Sequence, residues 1–402
     1  MKNTIWKEAQ ALQSALVAHR RYLHEHAERG FALEKTLSYV RDRLENMGYK
    51  PQNCGRAGLV ATVGDEKGKC FLLRADMDGL PIRENSGEAF ACKTGNMHAC
   101  GHDMHTAMLL GAAQLLKSHE DALTGCVKLL FQPAEELLEG AKDMLQNGVL
   151  TDPSANGGMM LHVMTDVPFP TGTAIVASKG VSAPAADFFR ITVQGKSCHG
   201  SAPWNGVDAL TAAAHILIAL QELSAREISL AAPAVLTVGA LQAGEAGNVI
   251  ADTALLKGTL RAFDEETRAQ VKKRMGEIVK NVAKAFRAKA KIVYEGGCPT
   301  LLNDGVLSAF ALQTAKELLG DKKAFFSADL GGGGVAQKNG GSEDFAYISH
   351  EIPTVMLALA AGQTEKGYRY PLHHPKTRFD ENALCVGAAL YAQIAIKWLK
   401  KG

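Results

Sequence analysis

The chain is predicted to fold as an α/β domain around a mixed, largely parallel sheet, interrupted by an inserted α+β unit of ferredoxin-like order. Three features of its 402 residues predict this. Short, largely apolar runs alternate with helical stretches in the first part, as strands of a buried parallel sheet do. Strands that alternate apolar and polar residues then follow in the order βαββαβ. After Pro299 the first pattern resumes.

Taken in order, residues 7–47 carry a helical pattern that ends at Gly48, a residue suited to the position just past a helix. Residues 70–75, 127–131 and 159–163 are the buried strands, each running into polar residues, with a helix over 106–116 between the first two. In such sheets chemistry collects beyond the carboxyl ends of the strands, and the polar clusters of this chain lie there. The half-exposed strands span 188–193, 234–241 and 254–260, and residues 291–294 close the set. Two helices, 207–223 and 265–288, join them, the second with Val271, Met275, Ile278, Val282 and Phe286 at helical spacing. The insert is bounded at 185–296, leaving 1–184 and 297–402 as one discontinuous domain. There 304–319, the glycine-rich 331–341 and a strand at 354–359 continue the α/β pattern.

Composition narrows the function. Hydrophobic residues make up 47% and charged residues 21%, with a formal charge of +2, so no electrostatic footprint for nucleic acid is present and small substrates are expected. The N-terminus has no apolar core of a secretory signal, and apolar stretches such as 210–220 fall short of the roughly 20 residues that span a bilayer. Eight cysteines without CxxC spacing read as reduced thiols. The expectation is a cytoplasmic protein that engages neither nucleic acid nor membrane.

His98, Cys100, His102, Asp103 and His105 place three imidazoles, a thiol and a carboxylate within eight residues, the ligand types that borderline divalent metals take. A single histidine is more often a satisfied core residue, but here that reading needs a separate excuse for each member. Strand 127–131 runs into Gln132, Pro133, Ala134, Glu135 and Glu136. Adjacent side chains point in different directions, so one carboxylate can ligate a metal while the other faces its water; alternatively the pair is an acidic helix opening that suits the dipole. His162 sits at the end of strand 159–163, and His373-His374-Pro375 lies in a loop after the last strand. Cys100, His102, Glu136, His162 and His373 together supply about what two metals sharing a bridge need.

At this point a family resemblance becomes specific. Arg74-Ala75-Asp76-Met77-Asp78-Gly79-Leu80-Pro81-Ile82, residues 98–106 and 131–136, Gly341-Ser342-Glu343-Asp344-Phe345 and His373-His374-Pro375, with Arg20, Arg21 and His24 near the start, carry it in order over nearly the whole chain. They resemble the co-catalytic metallo-aminoacylase family, which includes hippurate hydrolases, plant auxin-conjugate hydrolases and N-acetyldiaminopimelate deacetylases. The resemblance implies a zinc-peptidase-like catalytic domain and an inserted lid and dimerisation domain. It implies two divalent metal ions per subunit, manganese or zinc, held by Cys100, His102, Glu136, His162 and His373, with Cys100 as a bridging thiolate and Glu135 as general base. The family's ligand is the histidine followed by one residue and then proline, which selects His373 over His374.

Asp76, Asp78 and Asp103 are expected to accept hydrogen bonds from metal-binding imidazoles, with a cap of the turn before Gly79 as the alternative for Asp78. Residues 195–203 resemble the family's lid motif, in which His199 reaches an active site, usually that of the partner subunit, and stabilises an oxyanion; by itself it is a turn histidine. Asn248 and Arg261 resemble the positions that hold the substrate's carboxylate and amide, although Arg261 reads equally as a strand-end surface charge. Ala27, Gly79, Leu137, Leu138 and Ala251 depart from the family's usual residues; none removes a ligand or the base, but the two leucines adjoin the metal site and bear on pocket shape.

The implied reaction is hydrolysis of a small-molecule N-acyl-L-amino acid to a carboxylic acid and a free amino acid. Glu135 takes a proton from a water that the metals acidify and returns it to the departing amine, with lid closure completing the site. A homodimer or a tetramer is implied. The same motifs allow a metallo-dipeptidase or carboxypeptidase, and a non-catalytic binding relative, against which the presence of Glu135 and all five ligands argues.

Overall fold

The structure, a computed structural model, describes residues 2–330 and 341–401, so the glycine-rich stretch read over 331–341 lies outside the described residues up to residue 340. The chain divides into two compact units: residues 2–182, 302–330 and 344–401 form one, and Ala183–Leu301 with 341–343 the other.

The helical pattern of 7–47 is realised as three helices rather than one: α1 (Lys2–Ala11), α2 (Gln13–Glu25) and α3 (Glu34–Asn46). Gly30 between α2 and α3 adopts φ 55, and its carbonyl accepts the amide of Ala134 at 3.1 Å, so a tertiary contact interrupts the pattern. A hairpin of β1 (Gln52–Cys54) and β2 (Gly58–Gly64), which the sequence reading did not place, precedes β3 (Lys69–Asp76). The helix α4 (His102–Ser118) then leads to β4 (Gly125–Gln132), β5 (Ala155–Met164) and β6 (Ala174–Val176). α4 is buried on almost every side, which explains why it is apolar all round after its polar first turn.

The second unit follows as β7 (Ala185–Gln194), α5 (Ala209–Glu222), β8 (Ala234–Ala243), β9 (Thr253–Ala262), α6 (Glu265–Ala285) and β10 (Lys289–Cys298). Its sheet has the order β8-β9-β7-β10 with every neighbour antiparallel, which is the βαββαβ arrangement read from the sequence. Alternation along β7 turns Phe189, Ile191 and Val193 inward onto Ile216 and Leu220 of α5 and Met275 and Val279 of α6. Asp208 and Asp264 cap α5 and α6 by accepting backbone amides of the first turn. β10 runs on to Cys298, past the boundary at 296.

Back in the first unit come α7 (Gly305–Leu319), capped by Asp304, then β11 (Ala324–Phe326), β12 (Thr354–Ala360) and α8 (Leu384–Leu399). The sheet order is β1-β2-β4-β3-β5-β12-β6-β11. The β4, β3, β5 and β12 strands run parallel, so Asp76, Gln132, Met164 and Ala360 end at one edge. β1, β2 and the β6–β12 pair are antiparallel. Among the described residues one helical segment, Glu381–Leu399, is by length and composition alone apolar enough to cross a membrane. Its window is 78% buried inside the protein, because α8 packs on α1, α4 and the sheet.

Candidate metal centre

The centre grows from the common edge where the parallel strands end. The period of two along β3 puts Arg74 and Asp76 on one face, where the buried guanidinium donates to Asp76 Oδ2 at 2.7 Å and to Gln132 Oε1 at 2.9 Å. Burial favours the neutral form of Asp76, but Arg74, His102 and His105 outweigh it and hold the carboxyl well below its ordinary range.

Gly101 sets the next turn. Its φ is 88°, and a Cβ there would lie 2.4 Å from Val163 Cγ2, so only glycine lets the chain enter α4 at His102 directly after Cys100. Cys100 Sγ consequently lies 3.5 Å from His162 Nε2. The ring of His102 donates from Nδ1 to the Asp78 carbonyl at 2.8 Å. Its Nε2 then faces Glu135 and Glu136, each with a carboxylate oxygen at 3.9 Å.

After β4, Ala134 at φ 53 swings the chain into a single 3-10 turn, Glu135–Leu137. The amides of Glu135 and Glu136 donate to the Asp78 carboxylate at 3.0 and 3.3 Å. Glu136 Oε1 stands 3.4 Å from His373 Nε2. His373, at φ 65, donates its amide to the Ala99 carbonyl at 3.0 Å, which ties its loop to the Cys100 segment. His162 sits inside β5, two residues before its end, and donates from Nδ1 to the Val163 carbonyl at 2.8 Å.

Donor atoms of Cys100, His102 and His162, of Cys100, Glu136 and His373, and of His102, Glu135 and Glu136 each fall within 4.8 Å of one another. Burial pushes the Cys100 thiol up, yet the charge of His162 and hydrogen bonds from His102, His162 and His373 bring it down to about 5. Hydrogen bonds to Cys100 and Glu136 raise His373 to about 10. A divalent cation fits this set: a thiolate, imidazoles and a carboxylate converge, and the buried His102 Nε2 and Glu136 Oε1 face each other at 3.9 Å.

Two expected orienting roles need correction. Asp103 accepts from Arg20 Nε and His24 Nδ1, both at 2.8 Å, and so anchors α2 instead of a candidate ligand. Asp76 accepts from His105 Nδ1 at 2.6 Å and stands 3.6 Å from His102 Nε2. Asp78 orients His102 through its backbone carbonyl, and its carboxylate caps the Glu135 turn, not the turn before Gly79. His105, which the sequence places in the metal-type cluster but outside the five candidate ligands, stands three residues after His102 and so shares a face of α4 with it, ring centroids 5.4 Å apart.

The remaining candidates belong to the second unit. A two-residue ribbon pairs His199 with Val249, beside Asn248, whose carbonyl accepts the Gly200 amide at 2.7 Å. His199 is exposed, its Nδ1 2.7 Å from Ser201 Oγ. Arg261 stands on β9 and donates to Ser342 Oγ at 2.5 Å.

A parallel sheet that gathers metal-type donors from several of its strand ends is the architecture of a metallopeptidase-like hydrolase. The chain belongs to peptidase family M20/M25/M40, whose pattern matches residues 72–397. It is 36% identical over 393 residues to the N-acetylcysteine deacetylase of Bacillus subtilis (strain 168), covering 96% of this chain and 97% of that one. It is 35% identical over 393 residues to the IAA-amino acid hydrolase ILR1-like 2 of Arabidopsis thaliana, covering 96% and 85%. The crystal structure of the Bacillus subtilis YXEP protein, a dinuclear metal binding peptidase from the M20 family, is similar with a TM-score of 0.78 at 31% identity, covering 98% of this chain and 100% of that one. The family resemblance and the fold class read from the sequence are both borne out.

Proposed function

We propose that the chain is a dinuclear metal-dependent amidohydrolase that cleaves N-acyl-L-amino acids to a carboxylic acid and a free amino acid. One observation carries this: separate segments bring Cys100, His102, Glu136, His162 and His373 together in overlapping sets of three whose donor atoms lie within 4.8 Å, with Glu135 beside them. The relatives support it, being named for N-acetylcysteine and IAA-amino acid hydrolysis and for a dinuclear metal site.

In this reading those five residues hold two divalent ions, manganese or zinc, which when bound polarise the amide carbonyl and acidify water. His102 and His162 each commit Nδ1–H to a backbone carbonyl, which leaves the Nε2 lone pair available as a ligand. The Glu135 carboxylate takes the water's proton and passes it to the amine nitrogen of the leaving amino acid. His199 stabilises the oxyanion while Asn248 and Arg261 hold the substrate's carboxylate and amide. The inserted unit serves as lid and dimerisation surface of a cytoplasmic homodimer; the eight unpaired cysteines support a reducing compartment.

The test is release of free amino acid from N-acetyl, N-benzoyl and N-indoleacetyl L-amino acids and from dipeptides, by metal-loaded wild type and Glu135→Gln. Cleavage of the acyl conjugates that disappears in the variant is the expected result. Cleavage of dipeptides alone would replace this reading with a metallo-dipeptidase or carboxypeptidase, and no cleavage with either metal would point to a binding relative.

A further inference from the structure

We infer that His105 is a positioning residue that fixes His162, and through it one of the two metal positions, by holding the backbone amide of Val163. The inference rests on the reading of His162 as a ligand.

His105 is fully buried in the first turn of α4, and Val163 lies in β5. The pairing of β5 with β3 ends at Arg74 and Met160. Beyond that point β5 has lost a strand on one side, and the Val163 amide is taken instead by His105 Nε2 at 2.8 Å. An amide can only donate, so Nε2 carries the lone pair and Nδ1 carries the hydrogen, which goes to Asp76 Oδ1 at 2.6 Å. Asp76 is itself fixed by Arg74 at 2.7 Å. Both ring nitrogens are thereby committed. His105 is not available as a ligand, even though Asp76, His102 and His105 come within 4.8 Å of one another.

The amide that His105 holds is the one directly following His162, and the Val163 carbonyl in turn accepts His162 Nδ1–H at 2.8 Å. Val163 is thus held at its amide by His105 and holds the His162 ring with its carbonyl, while Nε2 of that ring is left 3.5 Å from Cys100 Sγ. The two imidazoles also pack edge to face, with centroids 4.7 Å apart. The sequence Arg74, Asp76, His105, Val163, His162 connects a salt bridge in the sheet to the candidate ligand His162.

Two substitutions separate the two hydrogen bonds. Glutamine places its amide oxygen near the position of Nε2 and can accept from Val163, asparagine places its amide nitrogen near Nδ1 and can donate to Asp76, and leucine does neither. The measurement is calorimetric titration of the metal-free, full-length protein with Mn2+, together with the thermal midpoint of each metal-free variant. Wild type is expected to bind two ions. His105→Leu should weaken one of them by roughly 10- to 100-fold and leave the other within about twofold, His105→Gln should recover most of the loss, and His105→Asn should not. If His105→Leu does not fold, the contrast between Gln and Asn decides alone. Wild-type-like binding of both ions by His105→Leu overturns the inference, as does weakening of both sites in step with a fallen metal-free midpoint, or recovery by Asn equal to that by Gln. Wild type binding fewer than two ions would instead overturn the metal reading itself, and the positioning role with it.

Discussion

The backbone amide of Glu135 donates to the carboxylate of Asp78 at 3.0 Å. The same carboxylate accepts the Glu136 amide at 3.3 Å, and the Asp78 carbonyl accepts His102 Nδ1 at 2.8 Å. One residue therefore aligns the candidate base and two candidate ligands. Asp78→Ala is expected to weaken metal binding by roughly 10- to 100-fold and to lower kcat/KM at saturating metal as well, since the Glu135 turn loses its cap. Asp78→Asn, which keeps one acceptor oxygen and the backbone carbonyl, should fall between. Metal titration and steady-state kinetics check this; an alanine variant with wild-type values for both would sink it.

Glu135 stands beside the cluster, with its carboxylate 3.9 Å from His102 Nε2 and only 6% exposed. Glutamine preserves its shape and removes its basicity. Glu135→Gln should lower kcat by about 10²- to 10⁴-fold while two ions still bind and KM changes little. Loss of an ion together with activity would show that Glu135 is a ligand and not the base.

A pH effect follows from His24. Burial alone would lower its pKa, but the charge of Asp103 and hydrogen bonds to Asp103 and Glu84 prevail and raise it to about 9 from 6.5. The folded pKa lies above the unfolded one, so the charged ring contributes its full stability below pH 6.5 and loses it as pH rises towards 9. Each pKa unit is worth about 1.4 kcal/mol, which sets the contribution on the order of 3 kcal/mol as an upper figure. Thermal midpoints measured from pH 6 to 9.5 should fall more steeply for wild type than for His24→Gln. Parallel profiles would show that His24 is not charged in the folded protein.

How much of this was legible in the sequence depended on how local the cause was. The parallel strands announced themselves as apolar runs because both sheet faces are covered, and β7 and β9 by their alternation, because their sheet is covered on one face. The ligand candidates were legible because the residue types are rare together. Asp103 was misassigned because adjacency in sequence is not adjacency on a helix: successive residues on α4 point about 100° apart, so His102 faces the centre while Asp103 faces α2. The break near Gly30 depends on Ala134, about a hundred residues away, and has only the glycine as a local signal. His105 stood in plain view, but its role depends on the Val163 amide, which no side-chain pattern encodes.

The same splaying of β3 from β5 makes Tyr391 a test of how the sheet edge is held open. Its fully buried hydroxyl donates to the Arg74 carbonyl at 2.7 Å and accepts the Leu161 amide at 3.0 Å, so α8 supplies the hydrogen bonds that the two strands no longer exchange. Tyr391→Phe keeps the ring and its packing but leaves a buried carbonyl and a buried amide each short of this partner. Each such loss costs roughly 1–3 kcal/mol, and partial relaxation or an admitted water keeps the total near the lower end. We expect urea unfolding to show a loss of about 2 kcal/mol with an unchanged slope, together with weaker metal binding, because Leu161 directly precedes His162. A variant as stable as wild type would mean that the strands close on each other when the hydroxyl is gone, and then metal binding should suffer more than stability, since His162 would move with them.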